Sequence, residues 1–87
     1  MKTNNESILS IPSVPDKIKV VFNDDFTLCG DFHSMMEYNV SFYVKELNTE
    51  QLKYLYERGV NVSQSRLLGW FVIVDKRLIK EVDFYEY

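Results

Sequence analysis

The only histidine, His33, follows the only cysteine, Cys29, by four residues. On a strand that offset places both side chains on one face but roughly 13 Å apart, beyond the hydrogen bond through which an imidazole activates a thiol. No third group stands out to orient the ring, so a Cys–His nucleophile lacks its parts. Two such residues also fall short of the four ligands a structural zinc site takes, and a lone cysteine closes no intrachain disulfide.

Asp24, Asp25 and Asp31 lie close enough in sequence to be considered as ligands of a hard cation. A magnesium-dependent nuclease site needs carboxylates converging from several elements, and Asp75-Lys76 is adjacent rather than spaced on one face. Aspartate is common in turns because its side chain bonds the nearby backbone and tolerates left-handed conformations, and these acids read as exposed turn residues. Gly30, Gly59 and Gly69 are isolated, so no glycine-rich phosphate loop exists, and no nucleophile elbow surrounds any serine. The sequence therefore reads as non-enzymatic, with no cofactor and no metal.

A different pattern closes the chain. Glu81, Asp83 and Glu86 alternate with Val82, Phe84, Tyr85 and Tyr87. Tyrosine is enriched at protein interfaces, and an open strand edge can pair with another chain. Glu81, Asp83, Tyr85, Glu86 and Tyr87, together with Tyr43 and Trp70, are the expected partner-binding residues. A terminal edge strand kept soluble by its charges would carry the same residues.

Hydrophobic residues make up 46% of the 87 and aromatic residues 15%. The composition fits one folded domain whose core draws heavily on rings. Chains of this size bury only about 60–65% of their unfolded surface, so association with a partner or a second copy would add useful apolar burial. The net charge of −3 argues against general attraction to phosphate backbones. Lys17 and Lys19 share a strand face, and Arg77 and Lys80 lie near the last strand, but acids interleave with both groups. The chain has no alanine and seven lysines against three arginines, a bias that fits an AT-rich genome. No apolar run approaches the roughly 20 residues of a membrane span, and the expected setting is the cytoplasm.

The elements follow from periodicity. Residues 1–15, with Pro12 and Pro15, read as an extended arm in front of a single α+β domain at 16–87. Ile18, Val20 and Phe22 alternate with polar residues, Asn23-Asp24-Asp25 turns the chain, and Phe26, Leu28, Gly30 and Phe32 resume the period of two, which together predict a hairpin. Tyr38, Val40, Phe42 and Val44 predict a third strand. Asn48 as N-cap with Gln51 three residues later forms a capping box, and Leu47 can pack on Leu52. The helix should run to Arg58, bury Leu52, Leu55 and Tyr56, and end at Gly59. Val60 to Ser65 reads as a connection. Leu67 to Val74 is apolar on both alternating faces, as in a central strand, and Leu78 to Tyr87 as a mixed edge strand.

The expected architecture is an antiparallel sheet of about 4–5 strands, in the order β-β-β-α-β-β, with one amphipathic helix on one face. The expected role is protein–protein contact, of the kind by which a small phage or mobile-element protein inhibits or modulates a host or defence protein. The alternatives are a homo-oligomeric assembly protein and a nucleic-acid-binding module, the latter disfavoured by charge.

Overall fold

In a computed structural model, residues 17–85 are described; the arm at 1–15, Glu86 and Tyr87 lie outside them. The chain runs β1 (Lys17–Phe22), β2 (Thr27–Met35), β3 (Asn39–Val44), α1 (Thr49–Glu57), β4 (Asn61–Ser65), β5 (Gly69–Asp75), a short 3-10 turn (Lys76–Leu78) and β6 (Ile79–Tyr85). All neighbouring strands are antiparallel, in the order β4-β5-β3-β2-β1-β6. The α+β class matches expectation, but among the described residues the sheet has six strands instead of four or five.

The additional strand is β4, within the segment that reads as a connection. Its sequence, Asn-Val-Ser-Gln-Ser, has a single apolar side chain and therefore no legible period. It pairs with β5 from Asn61↔Ile73 to Ser65↔Gly69, and its place at the sheet margin explains why so polar a strand is tolerated. Leu67 and Leu68, expected to begin the apolar strand, instead form the tip of the β4–β5 hairpin, with Leu67 91% exposed.

The sheet is strongly curled. β5 and β6 stand at the second and sixth places in the order, yet only Lys76–Leu78 connects them. That turn touches both the β2–β3 connection, where Lys76 N–H donates to the Tyr38 carbonyl, and the β1–β2 connection, where Asn23 N–H donates to the Leu78 carbonyl. β2 makes the bend: its first half pairs with β1, its second with β3, and the register slips between Phe32 and Ser34. Bulges of this kind bend a strand and increase its twist. At the bend Gly30 faces inward, where a Cβ would overlap the Tyr43 carbonyl.

Inside the curl, Ile18, Val20, Phe22, Leu28, Val40, Phe42, Val72 and Val74 form one core with Leu47, Leu55 and Val60 from the helical segment. The capping box is complete: Gln51 N–H donates to Asn48 Oδ1, and Asn48 N–H donates to Gln51 Oε1, both at 2.8 Å. At the other end Gly59 takes φ +75°. Gly59 N–H donates to the Tyr56 carbonyl and Val60 N–H to the Leu55 carbonyl, the paired bonds of a Schellman ending with Val60 packed beside the core.

One helix residue differs from expectation. Tyr56 is 57% exposed, and Tyr54 takes the inward place. Tyr54 stacks on Phe26 at 3.8 Å and meets Phe22 edge-on, because the β1–β2 turn brings those rings beneath it. Its hydroxyl donates to Asp24, Arg58 bonds the other Asp24 oxygen at 2.8 Å, and the Arg58 guanidinium lies 3.5 Å from the Tyr54 ring centroid. The helix is thus latched to the first turn.

The latch makes stability depend on pH. Loss of hydration and the bond to Asp24 push the Tyr54 phenol from 10 up to about 12. The fold favours the neutral phenol, so the contribution is complete below pH 10 and is lost as pH rises toward 12. The Asp24 carboxyl is held below its usual 3.8, first by Tyr54 and then by Arg58, so its contribution is lost as pH falls below that value. We expect the urea midpoint to fall above pH 10 and the Tyr54→Phe variant to fall less steeply over the same range. Equal slopes for the two proteins would contradict the latch.

Candidate binding face

The antiparallel register sorts the side chains into two faces. Partners across each pair share a face, and one row crosses the outer side through all six strands: Ser63, Phe71, Tyr43, Asp31, Lys17 and Tyr85. Phe71 and Tyr43 form its aromatic centre, with ring centroids 4.9 Å apart. The bulge in β2 adds His33, whose ring stands edge-on to both, 5.1 Å from Phe71 and 5.6 Å from Tyr43. Phe71 and Tyr43 are half-buried and His33 is exposed. Ser63, Asn61 and Asp31 surround the rings as a polar rim.

Beneath the rings lies Ser41, the one buried polar residue among the described residues, 3% exposed. Its Oγ is 2.9 Å from His33 Nδ1 and 3.4 Å from the Ser34 carbonyl. A hydroxyl has one proton; when it goes to Ser34, Nδ1 carries hydrogen and donates to Oγ, leaving Nε2 as an outward acceptor. The sequence gives His33 no evident partner, and the structure supplies one because the register slip leaves His33 between the Phe32↔Phe42 and Ser34↔Ser41 pairs, beside the Ser41 hydroxyl. The Ser41 hydroxyl lies on the outer side of the sheet, paired across from Ile73, and is covered by the neighbouring side chains. The pair anchors the ring within the aromatic group.

The other candidates separate. Cys29 is exposed opposite Lys19 on the β1–β2 half and does not meet His33. Each aspartate of the first hairpin has its own cation: Asp24 binds Arg58, Asp25 binds Lys80 at 2.7 Å, and Asp31 binds Lys17 at 2.5 Å. Asp75 holds Arg77, and their bond holds the Asp75 carboxyl below its ordinary value and the Arg77 guanidinium above its own. Among the described residues no group of three His, Cys, Asp or Glu side chains could hold a metal. Nor is any helix there long and apolar enough to cross a membrane.

The expected binding residues fall on two faces. Tyr43, Glu81, Asp83 and Tyr85 share the outer side; Trp70 pairs with Val44, faces inward and packs against the core. Tyr43 and Trp70 therefore cannot form one stacking surface. Glu86 and Tyr87 lie outside the described residues. Phe71 and His33 join Tyr43 on this face without belonging to the expected set. Phe71 was detectable as the second apolar face of the Leu67 to Val74 run, whereas His33 depends on a bulge that no local residue type announces.

Set against protein-family models, curated proteins and solved structures, the chain matches none.

Proposed function

We propose that this chain is a non-enzymatic binding protein that contacts a protein partner through the outer face of its sheet. The carrying observation is the half-buried Tyr43–Phe71 pair with His33, placed on the side of the sheet that the core does not use. Aromatic residues inside a polar rim reproduce the arrangement of interface hot spots, where rings supply area at low entropic cost and surrounding polar groups exclude water. An inhibitor or modulator of a host or defence protein would work through such a face.

Stacking on single-stranded nucleic acid would use the same rings but also requires a positive groove. Here Lys17 is bonded to Asp31, and Lys19 stands opposite Asp83, so the face offers little net positive charge. Protein is the better supported partner.

The test compares immobilised wild type with a Tyr43→Ser, Phe71→Ser variant and with Tyr56→Ser, which alters an exposed ring on the helix. We expect the wild type and Tyr56→Ser to retain the same protein from a host lysate. The double variant should lose it by about thirtyfold or more, as expected for a hot spot worth about 2 kcal/mol. Equal retention by all three, or none by the wild type, would overturn the reading.

A further inference from the structure

Among the described residues β6 ends the sheet order and pairs with β1 alone, so the other backbone edge of Ile79–Phe84 meets no described strand. An open edge presents a row of N–H and C=O groups ready to pair with an extended chain. Because the sheet curls, this edge does not face empty solvent alone. A cleft of about 270 Å³ lies along it, with Met35 and Val40 on one side, Ile79, Glu81 and Val82 on the other, and Lys76 and Lys80 at its margin. The curl stops short of closing, and the gap has an apolar lining.

The two sides of β6 differ in chemistry. Val82 and Phe84 face inward with Val20 and Ile18, and Phe84 meets Phe32 edge-on. Glu81 and Asp83 face outward; Asp83 stands opposite Lys19, but Glu81 stands opposite Val21. Lys80, at the register slip, is drawn away to Asp25. A strand laid against this edge would therefore meet carboxylates on its outer side and apolar groups on its inner side.

We propose that the open edge of β6 receives an extended peptide segment of alternating basic and apolar residues. Its Lys or Arg side chains lie beside Glu81 and Asp83, and its apolar side chains enter the cleft between Val82 and Met35. Cross-strand pairs of opposite charge stabilise a sheet and like pairs destabilise it, which selects this occupant over a second copy. Two β6 strands paired antiparallel about Val82 would set Glu81 of each against Asp83 of the other. The chain's own residues 1–15 carry a single basic side chain, Lys2, against the two carboxylates of this edge. The inference rests on the reading of the chain as a protein-binding module and names the kind of segment bound.

The probe is a blocked ten-residue peptide of alternating Lys and Val, with a Glu–Val peptide as control, titrated into the full-length protein while amide resonances are followed. The Lys–Val peptide should shift the amides of Ile79–Phe84 and slow their hydrogen exchange, and the Glu–Val peptide should not. A Glu81→Lys, Asp83→Lys variant with an otherwise unchanged spectrum should bind Lys–Val about tenfold more weakly, since exposed charge pairs are individually modest, and should gain affinity for Glu–Val. Shifts confined to other strands, undiminished binding by the reversed variant, or no binding would overturn the inference. If this test fails while Tyr43→Ser, Phe71→Ser still releases its bound protein, the edge assignment falls and the face assignment stands; if the column test fails too, both fall.

Discussion

Phe42→Ala is expected to cost about 3–5 kcal/mol of folding stability, and Tyr43→Ala, one residue further, under about 1 kcal/mol. Phe42 is fully buried between Phe32 and Val72 at the centre of the sheet, so truncation leaves a cavity that the curled strands cannot collapse around. Tyr43 points to the other side of the same strand, half-exposed. Domains are typically stable by only about 5–15 kcal/mol, so the first change removes much of the total and the second little. Urea unfolding of both variants measures the difference. Similar costs would mean that β3 is in a different register, because a slip of one residue exchanges the two faces.

Gly30→Ala is expected to destabilise by about 3 kcal/mol or leave the chain unfolded, since overpacking against an immovable group exceeds the usual core penalty. The added methyl would overlap the Tyr43 carbonyl, a backbone atom in a paired strand that has no rotamer to adopt. Gly59 provides the contrast. Its φ of +75° strains any other residue, but nothing lies within 4 Å of its Cβ position. Gly59→Ala should therefore cost only about 1 kcal/mol, the ordinary penalty for a left-handed position. Thermal unfolding of the pair separates the two effects, and equal shifts would contradict the close approach of β2 to β3.

The helix was legible because its signals are local: Asn48, Gln51 and Gly59 each act within four residues of their own position. The hairpin of β1 and β2 was legible for the same reason, through alternation and the Asn-Asp-Asp turn, where Asp25 adopts φ 75°. What could not be read depends on contacts distant in sequence. β4 is a strand because β5 supplies its hydrogen bonds, and its polar side chains carry no period of their own. Tyr54 rather than Tyr56 turns inward because Phe22 and Phe26, some thirty residues earlier, lie on that side.

The proposed binding face was partly legible on the same principle. Tyr43 stood out as an aromatic on the polar side of an alternating strand, and Glu81, Asp83 and Tyr85 as a charged edge. By residue type Trp70 groups with Tyr43, and only the Val44↔Trp70 pairing places it on the opposite side. His33 joins the rings through the slip between Phe32 and Ser34, a feature of two strands together.

The proposed function concerns the outer side of the sheet, and hydrogen exchange of the complex tests it most directly. With the protein recovered from a host lysate bound, amides of β3 and β5 around Tyr43 and Phe71 should exchange more slowly than in the free chain, while those of α1 around Tyr56 are unchanged. Protection confined to α1 and the β4 margin, with β3 and β5 unaffected, would contradict it.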